Sequence, residues 1–357
     1  MKIVIIGLSI TSSWGNGHAT TFRSLVKGLH RRGHQVDFLE RDVPWYASQR
    51  DMKSAGYCNI FLYQSLEQLK SEFREKVAEA DLVVVGSYVP EGVEVGKWVT
   101  DTAGGITAFY DIDTPVTMTK LDNKDYEYLH PDLIPHYDLY LTFAGGEVPD
   151  IFMSKYGSPH SEPLYCSVDP DLYYPEDLPL KWDLGYLGTY SPDRQPPLDD
   201  LLTRAAAGWP MGRFVVAGPG YPDSIIWPQN VERIDHLSPP AHREFYNRQR
   251  FTLNITRKDM IQAGYSPSVR LFEAAACGTP IISDYWEGLD SFFKIGHEIL
   301  ISATPVDTLH YLKDFTSAQR SELAEKARKK VLELHTGEHR ALEIERYVSK
   351  LAADTVR

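Results

Sequence analysis

The chain has little cysteine, no long hydrophobic run and no surplus of positive charge, and each shortage removes a class of protein. Cys58, Cys166 and Cys277 are its 3 cysteines, in 357 residues and with no CxxC spacing. An odd thiol suits a reducing compartment better than a disulfide framework, so a cytoplasmic location is expected. No window approaches the roughly 18 consecutive apolar residues of a membrane span, so no integral membrane segment is expected. The apolar start MKIVIIGLSI has no basic leader of any length and reads as a first buried strand, not as a signal peptide. A formal net charge of -12 argues against nucleic acid as a partner. An anionic ligand must then be held by individually placed groups. Short repeats and low-complexity tracts are also missing, which sets aside solenoids and disordered arms.

What is present is an alternation of short apolar runs with helical patterns, the sign of parallel sheets with crossover helices. The first series of strands reads KIVIIG, QVDFLE, DLVVVG, ITAFYD and LYLTFA, with amphipathic segments at 20–32 and 66–80. After a proline-rich passage at 170–179 the pattern restarts with WDLGYLG, GRFVVAG, NVERID, FTLNIT and TPIISD. This predicts an α/β protein of two Rossmann-like domains, 1–170 and 171–335, facing a cleft. A helical end at 336–357 caps the second domain or crosses back to the first. Ligands of such sheets bind at the strand ends.

The stretch GYSPSVRLFEAAACGTPIISD predicts a helix that starts near Ser266, Pro267 and Ser268 and closes at Gly278. Free N–H groups at a helix start suit a phosphate, and Arg270 would reinforce such an anion site. Glu273 stands among apolar neighbours, where a carboxylate is costly unless engaged. It can accept the two hydroxyls of a ribose, or it can pair with Arg270. In GTYSPDRQ, Gly188 permits close approach of a ligand and Arg194 can reach a diphosphate with its forked guanidinium, unless it is a solvated loop residue. Arg257 in NITRKDM is a similar candidate.

In the first half, GNGHAT places Thr20 where the third glycine of a G-x-G-x-x-G fingerprint should fall, so a nicotinamide enzyme loses support. Gly15 and Gly17 can instead shape a loop, with His18 at the helix entry as an acid–base candidate or as a cap. FYDIDTP carries Asp111 and Asp113 two residues apart. On an extended segment both point the same way, where they can orient a hydroxyl or accept its proton, or else form a capped turn. No histidine cluster accompanies them, so no metal site is expected. Trp286 stacks on a ligand or fills a gap between domains. The aromatic-rich VPWYASQRDM suggests a loop near an acceptor.

SPSVRLFEAAACGTPIISDYWEGLDSFF, together with FYDIDTPVT, LGYLGTYSPDRQ and TLNITRKDM, resembles glycosyltransferases of the GT-B fold, and most closely their spore-maturation (CgeB-like) branch. The resemblance covers most of the chain. It implies that the second domain binds a nucleoside-diphosphate sugar, that Glu273 meets the ribose, and that a basic residue near Arg194 meets the pyrophosphate. It also implies chemistry without a bound metal or cofactor, the nucleotide sugar being a substrate. Related retaining enzymes carry a glutamate where this chain has Tyr265, a departure at the donor-sugar position, although the remaining donor site favours retention. The expectation is a transferase using a UDP- or dTDP-sugar, with Gly188, Arg194, Arg257, Tyr265, Ser266, Ser268, Arg270 and Glu273 on the donor and His18, Asp111 and Asp113 in catalysis. A sugar-nucleotide epimerase and a non-catalytic nucleotide-binding subunit remain as alternatives. The base, sugar, acceptor and oligomeric state are left open.

Overall fold

The computed structural model describes residues 1–14 and 17–355, so Gly15 lies outside the described residues. The chain divides into two compact units, Met1–Ser167 with Thr336–Arg357, and Val168–His335. The first crossing thus falls at 167/168, and the last helix belongs to the first unit.

The first unit is built on a seven-stranded sheet in the order β3-β2-β1-β4-β5-β6-β7, every pair parallel. Its strands are β1 (Lys2–Gly7), β2 (Gln35–Arg41), β3 (Asn59–Tyr63), β4 (Leu82–Gly86), β5 (Ile106–Asp111), β6 (Leu139–Thr142) and β7 (Ser161–Pro163). Continuous apolar runs such as LVVVG in β4 are buried throughout, as both faces of a parallel sheet must be. The second unit holds six strands in the order β10-β9-β8-β11-β12-β13, also parallel. They are β8 (Trp182–Leu187), β9 (Phe214–Ala217), β10 (Val231–Ile234), β11 (Gln249–Asn254), β12 (Ile281–Ser283) and β13 (Leu300–Ile301).

All ten expected strands are present, and β3, β7 and β13 are additional. Each of these three lies at a sheet edge, where a half-buried or very short segment gives no continuous apolar signal. The helix expected at 66–80 is two helices, Leu66–Glu72 and Arg74–Glu79, divided at Phe73. The expected helix at 20–32 is α1 (His18–Arg31), which begins with His18 itself. In the second unit, α2 (Val269–Ala276) lies between β11 and β12. The end of the chain forms Ser317–Leu334 in the second unit and α3 (Gly337–Thr355), which returns to the first.

The return of α3 is fixed by backbone contact with α1. A Cβ built on Gly28 would lie 2.2 Å from the carbonyl oxygen of Gly337, and one on Gly337 would lie 2.0 Å from that of Ser24. Only hydrogen fits at either point. At the flank, Glu345 accepts from Arg32 at 2.8 and 2.7 Å and lies 2.7 Å from His34. Its carboxyl is held down to about 2, chiefly by Arg32. The Arg32 pair is exposed and the His34 contact only partly buried, so both contribute little compared with the steric fit. Gly28→Ala should therefore destabilise the first unit by roughly 1–3 kcal/mol, the cost of overpacking, and more than Glu345→Ala does. Thermal unfolding of the two variants measures the ranking, and an unaffected Gly28→Ala protein would contradict the close approach.

Candidate functional site

In the second unit, the carboxyl ends of β8 and β11 and the start of α2 bring most of the expected donor residues together. Ser268 is the N-cap of α2 (φ -76°, ψ 139°), but its side chain makes no capping bond. Pro267 precedes the cap and does not occupy the expected first-turn position. The Ser268 hydroxyl instead accepts from Arg270 Nε at 3.2 Å. Ser266 is fully buried, and its hydroxyl has no hydrogen-bond partner.

Arg270 turns its Nη1 onto the carbonyl of Leu187, the last residue of β8. A Cβ at Gly188 would come within 2.7 Å of that nitrogen and 2.5 Å of the Tyr186 hydroxyl, so the close approach requires glycine here. Arg194 precedes the short helix Gln195–Leu198 and is 5% exposed. It donates from Nη2 to the carbonyl of Thr189 at 2.5 Å, while its Nε has no partner. Burial, then the positive charge of Arg270 and that of the exposed Arg257, press the Arg194 guanidinium down to about 10. Among the described residues none of these three arginines has a carboxylate within ion-pair distance. A buried cation without a counter-charge is costly, and three converging cations are a demand for an anion.

A fourth arginine escaped the sequence reading. Arg233 on β10 donates from Nη2 to the Gly218 carbonyl at 3.0 Å and lies 4.2 Å from the Tyr221 ring centre, and the Tyr221 hydroxyl donates to the Gly188 carbonyl at 3.1 Å. It holds the turn after β9 beside the turn after β8. NVERID reads as a strand, but no local signal says which neighbour it pairs with.

Glu273 is 3% exposed on α2, and the Tyr246 hydroxyl donates to its Oε2 at 3.3 Å. The alternative pairing with Arg270 is not made, because that guanidinium is committed to Leu187 and Ser268. Burial, reinforced by the Glu273 carboxylate, pushes the Tyr246 and Tyr173 hydroxyls well above their usual range. Tyr265 adopts the left-handed region at φ 43°, costly for an aromatic residue. Its N–H donates to the Glu287 carbonyl at 2.7 Å, and its ring lies against Gly288. Trp286 is 1% exposed and packs on Phe292 at 5.8 Å, so the ligand-stacking alternative fails and the residue is core. Asp284 accepts from the Thr256 N–H and hydroxyl at 2.9 and 2.8 Å, and burial raises its pKa.

In the first unit, His18 opens α1 with its Nε2 2.8 Å from Asp113 Oδ2, and its Nδ1 is buried without a partner. Ser87 donates to the same Asp113 oxygen at 2.8 Å. Asp111 does not share this outlook. It is fully buried, accepting from Thr117 at 2.6 Å and from Tyr140 at 2.7 Å, and burial lifts its carboxyl to about 7. The expected common direction fails because β5 ends at Asp111 and the chain turns before Asp113, so strand alternation does not carry across.

The loop before α1 is anchored by two acids that sequence spacing could not connect to it. Glu40, fully buried, accepts from the Ile10 and Thr11 N–H groups at 2.7 and 3.0 Å. Asp51 accepts from the Ser13 hydroxyl and from Arg23, each at 2.6 Å. Burial alone would raise the Asp51 carboxyl, but Arg23 and Ser13 hold it at about 2. An open cavity of about 530 Å³ lined by Lys2, His34, Asp37, Cys58 and Lys76 lies at the amino ends of these strands. Parallel sheets bind ligands at the other end, so the site is placed with His18 and not there. Among the described residues no cluster of three or more His, Cys, Asp or Glu side chains could hold a metal ion, and no helix is long and apolar enough to cross a membrane.

Two parallel α/β units with their polar residues at the strand ends define the GT-B class of glycosyltransferase folds. Residues 194–346 match the family model described as glycosyl transferase-like. No curated protein matches the sequence significantly. Among solved structures, sucrose-phosphate synthase from Thermosynechococcus elongatus is 15% identical, with 99% of this chain and 100% of that one covered and a TM-score of 0.69. An α-glucosyltransferase in complex with UDP-glucose and DNA containing an abasic site is 14% identical over 98% and 99%, with a TM-score of 0.74. HepE of Anabaena in complex with UDP and glucose is 12% identical over 98% and 100%, with a TM-score of 0.69. At these identities the likeness is one of fold.

The buried Asp111 has a measurable signature. Its folded carboxyl titrates at about 7, while an unfolded aspartate titrates near 3.9. The native state therefore holds the extra proton between those values, and the contribution of Asp111 to stability declines as pH rises from about 4 to about 7, by up to ~1.4 kcal/mol per unit. Asp111→Asn stays neutral and should flatten that slope in urea unfolding series at several pH values. An unchanged slope would show that Asp111 titrates normally.

Proposed function

We propose that the chain is a glycosyltransferase that moves a sugar from a nucleoside-diphosphate sugar, UDP- or dTDP-linked, to an acceptor held by the first unit. The observation that carries this reading is the group of Arg194, Arg270 and Arg257, converging without an ion pair to any carboxylate among the described residues, inside a protein of net charge -12. A diphosphate supplies the missing negative charge. Negative charge grows on the leaving diphosphate as the sugar becomes oxocarbenium-like, so fixed cations favour the transition state over the ground state. In this reading Glu273 receives the ribose hydroxyls, Ser266 and Ser268 line the approach to α2, Gly188 lets the diphosphate close on the backbone, and Tyr265 stands beside the donor sugar. The arginines meet the leaving charge, so the mechanism asks for no metal ion. Support comes from the family match, which begins at Arg194 and includes Glu273, and from the UDP-glucose complexes of two structures of the same fold. The branch with the spore-maturation proteins and the cytoplasmic location belong to the same proposal.

Retention of anomeric configuration follows from the resemblance of the donor site to retaining enzymes, with the leaving diphosphate taking the acceptor proton. The pairing of His18 with Asp113 favours a second reading. Asp113 at Nε2 leaves Nδ1 as the ring nitrogen able to act as a base; that atom is buried, so an inverting route requires the ring to turn toward the acceptor. Asp111 serves neither reading by direct contact, being fully buried.

Arg194→Ala and Arg270→Ala should each weaken binding of UDP or dTDP much more than binding of the corresponding nucleoside, since only the former carries the charge they meet. Glu273→Gln should cost roughly 1–3 kcal/mol with nucleoside and nucleotide alike. Calorimetry measures both, and equal losses on nucleoside and nucleotide in the arginine variants would refute the diphosphate assignment. For the chemistry, NMR of the product anomer fixes the stereochemical course. His18→Ala should lower turnover by about 100-fold or more with donor affinity intact if the ring is the base; near-normal turnover removes it from that role.

A further inference from the structure

We infer that the acceptor is an uncharged saccharide, seated on an aromatic platform around His18; the inference rests on the transferase reading above. The carboxyl ends of β2, β1, β4 and β5, four adjacent strands, deliver to one end of the sheet the segments that carry Trp45, Trp14, Tyr88 and Asp113. Trp14 and Trp45 meet edge to face at 4.9 Å, and Trp45 is 63% exposed, an unusual position for the largest apolar side chain. Tyr88 stands with its ring 6.1 Å from that of His18 and is backed by Tyr128 at 4.3 Å.

Tyr88 is also, among the described residues, one of four non-glycine residues with positive φ, at 57°. Such a conformation costs of order 1–3 kcal/mol and persists where surrounding structure imposes it, often at ligand sites. Here it sets an aromatic face beside the proposed base. Flat rings with one polar edge suit the apolar C–H face of a pyranose, while its hydroxyls find the polar surround.

The charges bordering the platform decide against an anionic acceptor. Arg23 is tied to Asp51, Arg50 to Asp42, Arg41 to Glu91, and Lys120 to Asp125 and Glu127. With Asp113, the acids outnumber the bases at this rim. A phosphate ester or a nucleic-acid backbone would have to displace one of these pairs and then meet the surplus carboxylates. This separates the chain from a neighbour of the same fold that was solved with DNA.

Binding of the full chain to immobilised neutral malto-, cello-, manno- and galacto-oligosaccharides, to glucose and fructose phosphates, and to duplex DNA tests the inference, with UDP affinity measured in parallel. At least one neutral series should bind. Trp45→Ala should weaken that binding about tenfold, and Trp45→Phe much less, with UDP affinity unchanged in both. Failure of every neutral series, preference for a phosphate or DNA, or indifference to Trp45→Ala overturns the inference. Loss of UDP binding in the unaltered protein would instead sink the transferase reading and leave the saccharide result standing.

Discussion

An uncompensated positive charge is the constraint around which the second unit is arranged. Arg194 is withdrawn from water, has an unpartnered nitrogen, and faces two further arginines, and among the described residues none of the three makes a direct ion pair with a carboxylate; Asp193 and Asp284 act on Arg194 and Arg270 only from beyond ion-pair distance. Such an arrangement is destabilising in the free protein and is held only because the backbone is committed around it: Arg270 to Leu187, Arg194 to Thr189, Arg233 to Gly218. Arg194 and Arg270 are thus oriented by main-chain carbonyls, which fix their direction without neutralising them, while Arg233 also has Asp235 at 3.8 Å. Orientation without neutralisation is what a site for a multivalent anion needs, since a resident carboxylate would compete with the ligand.

The first unit solves the opposite problem. Its carboxylates at the strand ends are satisfied: Glu40 by main-chain N–H groups, Asp51 by Arg23 and Ser13, Asp111 by two hydroxyls. These anchors, Glu40 and Asp111 buried and Asp51 exposed, fix the loop before α1 and the turn after β5, and so fix the pair that remains, His18 with Asp113. At the strand ends of the second unit Arg194, Arg257 and Arg270 have no ion pair among the described residues, whereas Arg23, Arg41 and Arg50 of the first unit are ion-paired.

Much of this was legible in the sequence. Continuous runs such as LVVVG announce a strand buried on both faces, and the restart after 170–179 announces a second sheet. The residues proposed for the donor could be read because GTYSPDRQ and SPSVRLFE are local: the glycine, the arginine and the helix start lie within a few positions of one another. The failures are of three kinds. Edge strands β3, β7 and β13 are too short or too half-exposed to show a period. Glu40, Asp51 and Arg233 act on loops far away in sequence, and only the pairing of strands brings them there. The common direction of Asp111 and Asp113 was misread for a third reason, because strand alternation was carried two residues past the end of β5.

The central claim is that a nucleoside diphosphate occupies the arginine group of the second unit. A crystal structure of the protein soaked with UDP tests it most directly. The account predicts pyrophosphate oxygens within hydrogen-bond distance of Arg194 and Arg270, with the ribose hydroxyls on Glu273. Density for the nucleotide elsewhere, as in the cavity lined by Lys2, His34 and Lys76 at the amino ends of the first sheet, with the arginines left empty, would contradict it.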